Sequence, residues 1–307
     1  NVDALIPISK HYEKCECFYE QIKYLMGLEM TDTIDQKRVL DAYKYVEECG
    51  IGIKEEYAKQ VYGLDKSSNV IKNNIAYSNY NLYNITGRPT NSFGGINFLA
   101  IPKEGDFRKC FVAKNDYLVE FDFEGYHLRI IANLVSQSVP TSEPMHKVLA
   151  GQYFNKPTSE VTDEEYKQAK VITFRQLYGG VEQQYKNIEF FQYLKEYIDL
   201  EWKKYKSQHS YVLPTGRILK EISSMTKNKL FNYILQNLET KQNTKKIFDI
   251  KEYLLEKKTQ LVLITYDAFL FDFSLEDGKQ TLVDIKKILE HDNFPTKHHY
   301  GKDYSFT

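Results

Sequence analysis

Two aspartates and one evenly spaced helical stretch are the residues of this chain best placed to do chemistry. Asp122 closes the apolar run Leu118-Val119-Glu120-Phe121, just ahead of a helical stretch. Asp267 sits between two apolar runs, Leu261-Val262-Leu263-Ile264 and Phe269-Leu270-Phe271. Carboxylates at strand ends are hard oxygen donors of the kind divalent cations prefer. Taken singly, an aspartate at a hairpin tip is most often only a turn residue. Tyr166, Lys170, Phe174 and Tyr178 recur every four residues, which at about 100° per residue keeps them on one helical face. A face combining a cation with rings can neutralise phosphate while the rings stack or exclude by shape. Spacing alone favours the plainer reading, an aromatic core stripe with a solvated lysine.

The elements that must carry these residues follow from local pattern. A helix is expected over residues 11–28. Another runs from Asp35 to Glu48, with Val39, Tyr43 and Val46 on one face and Gly50 placed to cap it. A short helix over 54–63 and a loop over 65–69 lead to strands over 70–85, which are β-branched and tyrosine-rich. A breaker-rich loop over 86–95 follows. Then come a strand over Tyr117–Asp122 and helices over 124–135, 143–154, 162–178, 183–207 and 225–256. Gly179-Gly180 ends the third of these, and Pro214–Arg217 reads as a turn. Two strands flank Asp267, Ser274-Leu275-Glu276-Asp277 resembles a capping box opening a helix to Glu290, and a strand closes the chain near 296–300. Helices and strands do not strictly alternate, so the fold class is α+β rather than a doubly wound sheet.

Composition sets the bounds. The 307 residues are 42% apolar and 27% charged, enough to bury a core without disulfides or metals. Lys plus Arg number 41 and Asp plus Glu 42, a net charge of −1, which argues against wholesale electrostatic binding of nucleic acid but leaves room for a local basic groove. Cys15, Cys17, Cys49 and Cys110 are too scattered for a disulfide framework, and Cys15-Glu16-Cys17 lacks the second pair that zinc needs. There is no membrane-spanning apolar run, and Asn1-Val2-Asp3 has no basic leader. The expected location is cytoplasmic, with no membrane partner.

Lys170-x-x-x-Phe174-x-x-x-Tyr178-Gly179 resembles motif B of family A DNA polymerases, on the fingers helix that binds the incoming nucleotide. Phe121-Asp122-Phe123-Glu124-Gly125-Tyr126-His127-Leu128-Arg129 resembles motif A, and Thr265-Tyr266-Asp267-Ala268 resembles motif C. Thr86-Gly87-Arg88 is similar to the family's primer-template element, and Asn232-x-x-x-Gln236 to its Asn/Gln pair at the duplex. Each motif is weak alone; five in the right order, from about residue 70 onward, make a specific pattern.

The resemblance implies a right-hand polymerase fold, an antiparallel-sheet palm with helical fingers. Its parts would be an N-terminal helical segment with vestigial thumb (1–69), palm (70–130), fingers (131–208) and palm again (209–307). It implies template-directed addition of dNTPs to a primer 3′-hydroxyl with release of pyrophosphate. Asp122, Asp267 and the Phe123 carbonyl would hold two Mg²⁺ ions. Lys170 would bind the triphosphate and aid protonation of the leaving group, with His146 near the phosphates. Phe174 stands where the family discriminates against a missing 3′-hydroxyl. Arg88, Arg108, Lys109, Arg129, Asn232 and Gln236 are the candidate DNA contacts. Partners would be primer-template DNA and dNTPs, with a processivity partner or an upstream segment to supply duplex grip; residues 1–37 are too short for a 3′–5′ exonuclease, so proofreading would need a segment upstream of Asn1.

Four departures stand out. Tyr166 occupies the place of an arginine on the fingers helix, and Lys167 is the expected partial substitute. His127 replaces a glutamate, and His127 with Tyr178 is the expected gate against a ribose 2′-hydroxyl. Motif C lacks its second acid, which is Ala268, while Asp272 farther along reads as structural. Only about ten residues separate the 38–63 segment from the palm strands, so the thumb is nearly absent; phosphate contacts dominate duplex affinity, so weak binding and distributive extension are expected. Two rival readings remain: a single-subunit RNA polymerase relative with the same palm and fingers, and a degenerate palm that only binds nucleic acid. The compact, divergent motifs suggest a phage-like source.

Overall fold

The structure is a computed structural model and describes residues 30–62, 71–91, 96–103, 105–137, 139–220 and 223–306. The helix expected over 11–28, the loop over 65–69 and the Cys15–Cys17 pair lie outside the described residues. The elements in chain order begin with α1 (Met30–Cys49), β1 (Ile51–Ile53), α2 (Glu55–Tyr62), β2 (Ile71–Lys72), β3 (Ile75–Ala76) and β4 (Phe111–Val112). The middle of the chain holds β5 (Tyr117–Phe123), α3 (Tyr126–Leu134), α4 (Met145–Phe154), α5 (Asp163–Gly179), α6 (Glu189–Gln208) and the hairpin β6 (Ser210–Val212) and β7 (Ile218–Lys220). The last are α7 (Lys227–Tyr253), β8 (Gln260–Thr265), β9 (Ala268–Phe273), α8 (Lys279–Glu290) and β10 (Thr296–Gly301). No helix among the described residues is long and apolar enough to cross a membrane.

The chain divides into two units. The first takes the chain through Phe123, Thr240–His291 and Thr296 onward. Its main sheet is antiparallel, in the order β10-β5-β9-β8. Successive side chains of a strand face opposite sides, so β5 sends Leu118, Glu120 and Asp122 one way and Val119, Phe121 and Phe123 the other. On the second side the Phe121–Phe271 and Phe123–Phe269 rings meet edge to face, both at 5.8 Å. On the first, Leu118, Leu263 and Leu270 join Ile51, Phe98 and Phe111 in one buried cluster. Full burial of each such side chain contributes about 1.5–3 kcal/mol. Gly50 follows α1 at φ +62°, the left-handed conformation that glycine adopts without strain. A second sheet, β2-β3-β1-β4, completes the unit.

The second unit is Glu124–Glu239 with Asp292–Pro295. In it α4 packs on α5, and Thr162 opens α5 with a full capping box. Its hydroxyl accepts from the Glu165 N–H, and the Glu165 carboxylate accepts from the Thr162 N–H. The buried side of α5 is Ala169, Thr173, Gln176 and Leu177. The helix stops at Gly179, whose carbonyl accepts from the Asn228 side chain.

Three expected elements differ. The strands over 70–85 shrink to β2 and β3, because Asn73 and Asn74 between them take φ of 52° and 60° and turn the chain back. From Tyr77 to Asn91 the chain makes an isolated antiparallel bridge, Asn81 with Thr90, and is anchored further by side chains; the Tyr80 N–H donates to Glu47, and the Ile264 N–H to the Tyr80 hydroxyl. The helix expected from 183 starts at Glu189, since 183–185 form a 3₁₀ turn first. Ser274 caps a 3₁₀ turn, Leu275–Asp277, not α8. Gly278 breaks the two apart, and the Asp277 carboxylate is engaged by the N–H groups of Lys258 and Thr259. Asp272 is structural, as its sequence position suggests: it is fully buried and accepts from the N–H groups of Lys114 and Asn115.

Candidate active site

Asp122 lies on β5 directly across from Ala268, the residue after Asp267. Asp267 occupies the two-residue turn between β8 and β9 and is exposed, while Asp122 is half-buried. The Phe123 N–H donates to the Asp267 carbonyl at 2.9 Å, which ties that turn to β5. Tyr266, its other residue, is held at φ +60°. The Asn243 side chain donates to the Tyr266 carbonyl at 2.8 Å. The Arg88 guanidinium lies over the Tyr266 ring, 3.5 Å from its centroid, and the Thr240 hydroxyl donates to the Gly87 carbonyl. The Thr86-Gly87-Arg88 element and the Asp267 turn are therefore packed together in the first unit. Asn243 was not singled out from sequence. Its signal was its place seven residues after Gln236, on the same face of α7.

Glu120 is a second residue that sequence reading passed over. It shares the face of Asp122, two residues away, and is buried. Burial above all pushes its carboxyl up, the Asp122 charge adds to the rise, and Lys103 and Arg108 oppose it. Among the described residues no group of three or more His, Cys, Asp or Glu gathers as a metal cage. The donors on offer are two carboxylates, Asp122 and Asp267, which suit a cation that keeps most of its ligands as water and phosphate oxygen, the habit of Mg²⁺.

In the second unit the four-residue stride of α5 forms a wall that is packed at one end and open at Phe174: Tyr166 lies against the buried cluster of Ala150, Val161 and Ala169, and Lys170 and Tyr178 are half-buried. Phe174 is 48% exposed and stacks parallel on Tyr178, with centroids 6.0 Å apart. The Lys170 ammonium sits 4.6 Å from the centre of the Tyr166 ring. His146, from α4, is buried and its ring lies against both Phe174 and Tyr166, at 5.7 and 6.4 Å. His127, from α3, meets the Tyr178 hydroxyl through Nδ1 at 2.5 Å and the Glu239 carboxylate through Nε2. Lys167 is exposed beside this wall. Arg175 is engaged elsewhere, paired with Glu182 at 2.7 Å.

Two candidate DNA contacts have other work. Arg129 is 2% exposed; it donates to the Glu124 carboxylate and to the carbonyls of Glu124, Pro140 and Glu143. Arg108 is buried over the Tyr304 ring and donates to the Ile101 carbonyl. The Arg129 guanidinium is spent on holding loops, whereas Arg108 gives one bond to a loop carbonyl and its buried Nε has no hydrogen-bond partner among the described residues. Lys109 is exposed and paired with Asp106. Asn232 and Gln236 stand half-buried on α7, and Asn232 Oδ1 is buried with no hydrogen-bond partner among the described residues.

Residues 53–212, more than half of the chain, match DNA polymerase family A, and the chain belongs to that family. The POL domain of Pol1 from M. smegmatis, solved with DNA primer-template and dNTP, is similar over 78% of this chain, with a TM-score of 0.66 and 17% identity. This chain spans half of that chain's length, 50%. The α+β polymerase fold expected from the motifs is the fold observed.

Proposed function

We propose that this chain is a template-directed DNA polymerase that adds dNTPs to a primer 3′-hydroxyl. The observation that carries the reading is Asp122 on β5 beside the turn that presents Asp267. The fingers, residues 131–208, fall within the second unit, and the four-stranded sheet of the first unit that carries Asp122 belongs to the palm. Asp122, Asp267 and the Phe123 carbonyl are the groups that would hold two Mg²⁺ ions. Such ions, when bound, lower the pKa of the primer hydroxyl and neutralise charge on the phosphates.

The chain's own side chains do the rest. Lys170, with Lys167 at the edge, neutralises the triphosphate, and the Tyr166 ring holds the Lys170 ammonium on the open side of α5. The primer 3′-oxygen forms the new ester bond to the α-phosphorus as the bond to pyrophosphate breaks. The hydroxyl proton leaves to water, and Lys170 hands a proton to the pyrophosphate. Phe174 stacks by the sugar, and His127 with Tyr178 excludes the 2′-hydroxyl. Arg88, Lys109, Asn232 and Gln236 remain the DNA contacts. Arg88 is set for it by its stacking on Tyr266.

Primer extension with Mg²⁺ tests the reading. Wild type extends a primer-template with dNTPs, whereas Asp122→Ala and Asp267→Ala do not. Absence of extension by wild type returns the protein to the binding-only reading, and equal use of rNTPs to the RNA polymerase one.

A further inference from the structure

The histidine of the sugar gate is held from behind by a residue that no motif contains. Glu239, on α7, is almost wholly buried, its side chain 3% exposed, and its Oε2 meets His127 Nε2. The other imidazole nitrogen, Nδ1, faces the Tyr178 hydroxyl at 2.5 Å. All three residues belong to the second unit. A carboxylate can only accept, and a neutral imidazole carries one N–H. Glu239 therefore draws that proton to Nε2, leaving Nδ1 to accept from Tyr178. A protonated imidazole would still give its Nε2 proton to Glu239. In both charge states the carboxylate pins the ring plane, and with the ring it pins the Tyr178 hydroxyl.

We propose that Glu239 is the positioning residue of ribose exclusion: it holds His127 so that His127 and Tyr178 present a rigid block to a 2′-hydroxyl. The inference rests on the polymerase reading of this site. Without Glu239 the imidazole can turn and choose its tautomer, and the gate softens to admit ribose. Loss of mere structural support would lower use of both sugars. Loss of the pin raises use of rNTPs in absolute terms, and that rise is the diagnostic readout.

The experiment is single-nucleotide incorporation by the full chain, comparing kcat/KM for a dNTP and its matched rNTP. For Glu239→Ala we expect rNTP efficiency to rise about tenfold, the scale of one lost discriminating contact. Glu239→Gln keeps the volume and an acceptor but can flip its amide, so it moves the same way by a smaller factor. Should the alanine variant fail to fold, the glutamine variant decides. In a His127→Ala background, adding Glu239→Ala changes the sugar ratio no further, and this pair leaves no buried charge unpartnered. An unchanged dNTP-over-rNTP ratio in the Glu239 variants, an equal fall for both sugars, or a further change in the double variant overturns the inference. Wild type that extends no primer overturns the polymerase reading itself, a failure visible before any variant is compared.

Discussion

The Phe123 N–H donates to the Asp267 carbonyl at 2.9 Å, so the residue after one candidate metal-binding aspartate holds the other by its backbone. This bond fixes the turn that carries Asp267 against the strand that carries Asp122. The two carboxylates should therefore act as a unit. Asp122→Ala and Asp267→Ala are each expected to lower primer extension by at least about 10³-fold, and the double variant little more than either. Asp267 is exposed, so its loss should change stability by no more than about 0.5 kcal/mol. Extension assays beside thermal melts check both halves. A fully active Asp267→Ala would remove the Asp267 turn from the chemistry.

Phe174 and Leu177 lie three residues apart on α5 and should respond in opposite ways. Phe174 is 48% exposed and Leu177 2%. Leu177→Ala is expected to cost about 2–5 kcal/mol by emptying core volume. Phe174→Ala should cost under about 1 kcal/mol yet raise the KM for dNTP. Phe174→Tyr should make the enzyme accept dideoxynucleotides more readily, seen as chain termination at lower inhibitor concentration. Equal destabilisation by the two alanine variants would return the stride of α5 to a packing role.

How much of this was legible in the sequence depended on the range of the interaction. The ends of β5, the β8–β9 turn and the face of α5 could be read because a strand repeats every two residues and a helix every 3.6. Whether that face lay in the core or in the open could not, since exposure of Phe174 depends on what packs beside it. Glu239 escaped because its partner His127 is 112 residues away. The burial of Arg108 and Arg129, both candidate DNA contacts by sequence, was not legible because composition does not say which guanidiniums the fold will cover. The β-branched content of 70–85 suggests longer strands than those that form, because two consecutive asparagines at positive φ set the turn.

Cations on and near α5 can be ranked. Lys170 sits by the Tyr166 ring within the aromatic wall, Lys167 is exposed at its edge, and Arg175 is paired with Glu182. Exposed charges are screened and worth a fraction of a kcal/mol. Lys170→Ala should therefore weaken dNTP binding about tenfold or more, Lys167→Ala about two- to fivefold, and Arg175→Ala not measurably. Titration of a primer-template complex with dNTP measures all three. A larger effect at Arg175 than at Lys167 would overturn the assignment of Lys167 as the substitute for the arginine missing at Tyr166.

Glu120 offers a pH test of the first unit. Its carboxyl is buried and pushed above the ordinary 4.5, by burial first and by the Asp122 charge as well, against the pull of Lys103 and Arg108. A folded-state pKa above the unfolded one means that the folded protein holds the proton longer. The resulting stability is fully present below about pH 4.5, and it is lost as the pH rises through the folded value. Glu120→Gln mimics the protonated acid at every pH. The variant should melt at nearly the same temperature as wild type near pH 4, and progressively above it as the pH is raised. Taking the difference between the two proteins cancels every group that titrates alike in both. Thermal melts across pH 4 to about pH 8 make the measurement. A difference that stays constant, or that shrinks as the pH climbs, would mean that Glu120 is ionised and satisfied where it lies.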